Sequence, residues 1–99
     1  METERYIKRI YDYLNIKNKN AEQISDFYID IQVESPFSEI EEYLVPFLYD
    51  IEDLSEEYEP IEDITKLKII DIKLIELLKK YNIFDKDKLT KEAMAFYDL

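Results

Sequence analysis

The sequence predicts an all-α fold: a small helical bundle of four to five helices, one of them long and kinked. Three observations carry that prediction. Apolar residues recur at three- and four-residue steps over most of the chain, the spacing that lines one face of a helix. Glycine is absent, although tight hairpins and left-handed turns prefer it, whereas Asn can close a helix in its place. Hydrophobic residues make up 46 % of the 99 positions, enough for one domain with a core and too many for a disordered chain.

The first helix is Glu2–Leu14, with Tyr6, Ile7, Ile10, Tyr13 and Leu14 on one face. A polar break at 15–20 ends it. Asn20 followed by Gln23 forms a capping-box pair for a second helix, which buries Ile24, Phe27 or Tyr28, and Ile31. Glu22, Asp26, Asp30 and Glu34 then descend the opposite side at i+4 steps. The same stretch also alternates with period two through 27–33, which supports an α+β alternative with a minor two-stranded element at about 26–33 and 67–72.

Phe37, Ile40, Leu44, Phe47, Ile51, Leu54 and Tyr58 repeat at alternating three- and four-residue steps. One continuous seam of that kind implies a helix of about 22 residues, roughly 33 Å long. Ser35 before Pro36, and Ser38 with Glu41, are start signals, and Glu59 before Pro60 closes the run. Pro46 lies inside and should kink it, because its missing N–H breaks the ladder. A fourth helix at 66–81 places Leu67, Ile70, Leu74, Leu77 and Tyr81 on one stripe, widened by Ile69, Ile72, Ile75 and Leu78. So broad an apolar face marks the most buried helix. Asp87 is the cap expected for a short terminal helix that turns Leu89, Ala93, Phe96 and Tyr97 inward. No repeat, linker or low-complexity run divides the chain, so 1–99 reads as a single domain.

Charge is distributed far less evenly than the helices. Between 20 and 65 the chain has no Lys, Arg or His and carries fifteen carboxylates, while each flank is net +2, which accounts for the overall −11. A block of one sign destabilises the compact state by self-repulsion, so a positively charged partner is its most economical explanation. The same charge repels nucleic acid and anionic lipid, which argues against direct binding to either. No apolar run approaches the ~18 residues that span a bilayer, and 1–10 lacks the apolar centre of a secretion signal, so a cytoplasmic protein is expected.

Catalysis finds little support. His, Cys and Gly are all absent, which removes the imidazole base, the thiolate, the sulfur metal site and the phosphate-cradling loop. Acid pairs such as Glu39/Glu42 and Glu56/Glu59 lack the His that carboxylate metal sites in bundles use. Asp85 and Asp87 open like a calcium loop that then lacks its Gly. No cofactor and no metal are therefore expected, and no enzyme.

The candidate site lies on the third helix. Glu39, Glu41, Glu42, Asp50, Glu52, Asp53, Glu56, Glu57 and Glu59 place nine carboxylates over twenty-one residues. At helical rise this is about one charge per 3.5 Å, against one phosphate per ~3.4 Å along a DNA strand. The uncharged run 43–49 interrupts them, and helical geometry turns Val45, Pro46 and Tyr49 off the seam, with Tyr43 beside them. Aromatic contact area at the centre and charge at the rim is how interfaces are commonly built. The plainer reading is a solvated acidic face and a buried apolar one. In charge layout alone the chain resembles phage-type DNA-mimic inhibitors of restriction enzymes, CRISPR effectors, repair glycosylases or nucleoid proteins. That resemblance implies a basic, nucleic-acid-binding protein or nuclease as partner. Two rival readings remain: an immunity protein or antitoxin that neutralises a basic toxin, and a subunit or homodimer that pairs through the seam of the third helix.

Overall fold

The order of caps and apolar faces along the chain becomes, in a computed structural model that describes residues 2–34, 36, 38–57 and 64–99, five α-helices and no strand among those residues. The fold is the predicted all-α bundle. The α+β alternative is overturned, because 26–33 is helical throughout.

Helix α1 (Glu2–Leu14) buries Tyr6, Ile10, Tyr13 and Leu14, with Tyr11 and Thr3 beside them. Helix α2 (Ala21–Val33) begins on the expected capping box. The Asn20 side chain accepts from the Gln23 N–H at 2.8 Å, and the Asn20 N–H donates to Gln23 Oε1 at 3.0 Å. Two of the free donors at that helix start are thereby satisfied. Its inner face holds Ile24, Phe27, Tyr28 and Ile31. Phe27 stacks flat on Tyr13 of α1 at a centroid distance of 3.7 Å. The period-two alternation fails as a strand signal because Phe27 and Tyr28, adjacent in sequence, are both core residues.

The third helix is shorter than its seam. Residues 38–40 form a turn and a bend, with the N–H groups of Glu39 and Ile40 both donating to the Pro36 carbonyl. Glu42–Leu44 is one turn of 3₁₀ helix, and α3 proper runs Val45–Glu57. Pro46 opens this helix and does not kink it. Proline has no N–H to give to residue 42 and its ring crowds that carbonyl, so the chain tightens before it; within the first helical turn no such donor is needed. Ser38 starts no helix either, and Glu41 instead accepts a hydrogen bond from Thr3 Oγ1 at 3.0 Å. The seam still does its work: Ile40, Leu44, Phe47, Ile51 and Leu54 are all buried in the chain's own core. Phe37, Tyr58, Glu59, Pro60 and Ser35 lie outside the described residues.

Helix α3 packs between α2 and α4 (Ile64–Lys80). In α4 Ile70, Leu74, Ile75 and Leu78 are buried and Ile72, Leu77 and Tyr81 pack at the edge. Ile69 is 51 % exposed, so the predicted stripe is narrower on that side; Ile69 sits one helical step behind Ile70, beyond the reach of the neighbouring helices. Asn82 closes α4 at φ 58°, with the Ile83 N–H bonded to the Leu78 carbonyl and the Asn82 N–H to that of Lys79. This is a Schellman termination with Asn where Gly is usual. Asp98 does the same after the last helix, with Leu99 bonded to Met94 and Asp98 to Ala95.

That last helix, α5 (Lys91–Phe96), is capped by Thr90, whose hydroxyl accepts from the Ala93 N–H at 3.1 Å. Asp87 is therefore not the cap. Its own N–H donates to Asp85 Oδ1 at 2.9 Å in a preceding 3₁₀ turn, Lys86–Lys88. Leu89, Ala93 and Tyr97 turn inward as expected, whereas Phe96 is 42 % exposed. Asn15 secures this end of the chain to α1: its Nδ2 donates to the Lys88 carbonyl, and its Oδ1 accepts from the Thr90 N–H, both at 2.9 Å.

Candidate functional site

Helical geometry divides the residues of α3 into three groups. Phe47, Leu48, Ile51, Leu54 and Ser55 face the core. Pro46, Tyr49, Asp53, Glu56 and Glu57 are exposed, and Val45, Asp50 and Glu52 lie at the borders. The turns before α3 continue the outer surface, with Glu39, Glu41, Glu42 and Tyr43 all exposed. Tyr43 is 69 % and Tyr49 58 % exposed, so the aromatic patch anticipated inside the acidic run stands in solvent. Val45 departs from the expectation. It is half-buried and packs against the core.

The acids separate into two sets. Asp50 accepts from Lys80 Nζ at 3.1 Å and from the Tyr81 hydroxyl at 2.6 Å, and Glu57 pairs with Lys73 at 3.0 Å. Both lysines project from α4, so the α3–α4 border carries mixed charge. The Tyr81 hydrogen bond, joined by the Lys80 ammonium, holds the Asp50 carboxyl below its ordinary range. Glu39, Glu41, Glu42, Glu52, Asp53 and Glu56 form no ion pair among the described residues. The negative surface therefore runs over the turns and the exposed side of α3, and meets Lys73 and Lys80 along the α3–α4 groove that Asp53 also lines. On α2, Asp30 is similarly compensated by Arg9 at 2.7 Å, leaving Glu22, Asp26 and Glu34 exposed. Glu59, the last of the predicted acids, lies outside the described residues.

A second polar site was not anticipated. Asp71 of α4 is 3 % exposed and accepts three tyrosine hydroxyls. Tyr13 and Tyr28 donate to Oδ1 at 2.8 and 2.6 Å, and Tyr97 donates to Oδ2 at 2.8 Å. Four helical segments thus meet on one carboxylate. Burial raises the Asp71 pKa, opposed by the three hydroxyls and by the Lys19 charge. Burial beside that carboxylate also drives the hydroxyls of Tyr13, Tyr28 and Tyr97 far upward, so all three act as donors at any physiological pH. Lys19 completes the group. Its ammonium donates to Tyr97 Oη at 2.8 Å and lies over the rings of Tyr13, Tyr97 and Phe96 at 4.9, 5.2 and 5.7 Å. The sequence did hold a signal: Asp71 is the one acid among the apolar positions 69–75 of α4. What could not be read is which hydroxyls would reach it.

Among the described residues no group of three or more acidic side chains is arranged to hold a metal ion, and no helix is long and apolar enough to cross a membrane. No protein-family model, curated protein or solved structure matches the chain.

Proposed function

We propose that this protein is a non-enzymatic binder that presents the acidic surface of 39–56 to a basic protein and blocks a groove made for nucleic acid. One observation carries the reading: Tyr43, Pro46 and Tyr49 are exposed together within a field of carboxylates, Glu39, Glu42, Asp53 and Glu56, that have no internal counter-ion among the described residues. Exposed acids outside any ion pair retain their charge for a partner, Asp53 standing nearest the lysines of α4, and Arg and Lys side chains pair with carboxylates as they do with phosphate oxygens. The tyrosines supply contact area at low entropic cost, which slows release, while the acids speed encounter. Asp50 and Glu57 belong to the rim in this reading, because Lys80 and Lys73 already neutralise them.

The rival in which the third helix pairs with a second copy through its seam finds less support, since Ile40, Leu44, Phe47, Ile51 and Leu54 are consumed by the chain's own core. An immunity protein acting on a basic toxin would use the same surface. The two are separated by competition. The immobilised protein is loaded with cell extract at low ionic strength, beside a variant carrying Glu39→Gln, Glu42→Gln, Asp53→Asn and Glu56→Gln. The mimic reading expects a basic nucleic-acid-binding protein that the variant fails to retain, and that both salt and double-stranded DNA release. Retention indifferent to added DNA favours the toxin-neutralising reading. Equal retention by the variant removes the acidic surface from consideration.

A further inference from the structure

A cavity of about 270 Å³ lies between the 15–20 turn and α5, away from every acid of α3. Leu14, Ile16, Ile24, Ala93 and Phe96 form its apolar walls. Its polar lining is unbalanced in hydrogen-bonding capacity. The inner acceptors are engaged, Asp71 by three hydroxyls and Asn15 Oδ1 by the Thr90 N–H, while Glu92 lies on the exposed rim with its charge offset by Lys17 at 3.5 Å. Donors remain. An ammonium has three N–H groups, and Lys19 uses one on Tyr97 and a second, at 3.5 Å, on the Leu14 carbonyl. Asn18, exposed and held at φ 52°, also lines this edge.

We infer that this cavity binds a small amphipathic carboxylate, with the head group on Lys19 and the hydrocarbon against Leu14, Ile16, Ile24, Ala93 and Phe96. A charge-assisted bond from the ammonium to a carboxylate is stronger than one to a neutral oxygen. A cationic ligand would meet Lys19 before it could reach Asp71, whose oxygens are occupied. The volume falls near the lower end of ligand sites, ~300 Å³, which restricts the guest to a small molecule. This site is independent of the acidic surface, so each stands or falls alone.

The test is an amide-resolved NMR titration of the intact chain with octanoate, octanol and octylammonium. Saturable shifts clustered at Ile16, Lys19 and Ala93 are expected with octanoate, at least about tenfold tighter than with the other two, a difference of ~1.4 kcal/mol. Lys19→Met keeps the aliphatic packing and should weaken octanoate about tenfold while leaving octanol unchanged. If that variant loses its fold, the three-probe comparison on the unaltered protein still decides. No saturation, shifts elsewhere, or octanol or octylammonium binding as tightly as octanoate overturns the proposal.

Discussion

The Tyr28 hydroxyl of α2 donates to Asp71 Oδ1 of α4 at 2.6 Å, and both residues are almost wholly buried. The contact spans forty-three positions of sequence. With Tyr13 and Tyr97 on the same carboxylate it ties α1, α2 and the C-terminal end of the chain to α4.

Removing the carboxylate should therefore cost more than its own bonds. Asp71→Ala strands three buried hydroxyls, and an unsatisfied buried polar group costs about 1–3 kcal/mol. A loss of about 3 kcal/mol or more is expected in urea denaturation. Asp71→Asn retains a carbonyl acceptor and should lose less.

The pH dependence follows from the sign of the shift. Burial raises the Asp71 pKa in the folded state above its unfolded value, near 3.9. The native state then binds the proton more tightly. This contribution to stability is complete below the unfolded pKa and is lost as pH rises through the folded one. Asp50 is the opposite case. Hydrogen bonds from Tyr81 and Lys80 lower its pKa, so its small contribution is present above the unfolded value and lost as pH falls. Denaturation over a pH series should show Asp71→Asn gaining on the parent protein as pH rises above about 4, whereas Asp50→Asn should fall behind it as pH rises toward about 4 and then keep a constant deficit.

Asn20→Ala should cost about 1 kcal/mol, because it removes the side-chain oxygen that accepts the Gln23 N–H at the start of α2 and leaves only the backbone half of the capping box. Thermal unfolding by circular dichroism measures it, and Thr90→Ala, confined to the short helix α5, should cost less.

Substitutions on the two sides of α3 should separate stability from binding. Leu48 is fully buried, so Leu48→Ala should cost about 2–5 kcal/mol. Neighbouring Tyr49 is 58 % exposed, and Tyr49→Ala should change stability by less than about 1 kcal/mol while weakening capture of a basic partner.

Added salt should raise the melting temperature, since it screens repulsion among acids that lack counter-ions. The variant with Glu39, Glu42, Asp53 and Glu56 converted to amides should start higher and respond less to salt. Scanning calorimetry between low and moderate salt checks both.

The parts of the fold legible in advance are those set by neighbours in sequence. The face of α1 and the capping box of α2 were readable because a helix places i, i+3 and i+4 side by side wherever it forms. The seam through Ile40, Leu44, Phe47, Ile51 and Leu54 identified core residues correctly even where it misjudged helix length. Burial depends on which side a residue faces, and one 3₁₀ turn before Pro46 keeps that side. The same spacing turned Val45, Pro46 and Tyr49 off the seam, but only packing decided what a neighbouring helix would cover, exposing Tyr49 and half-burying Val45.

By itself, then, the sequence determined an all-α chain, its main apolar faces and the block of uncompensated acid from 20 to 65, all of which follow from spacing and composition. Tertiary structure alone decided that Lys73 and Lys80 would neutralise one edge of that block, and that Tyr13, Tyr28 and Tyr97 would converge on Asp71. It likewise decided that a cavity would open beside Lys19. These depend on how helices far apart in the chain pack together, and the core contacts that choose that packing are not directional enough to be read from local pattern.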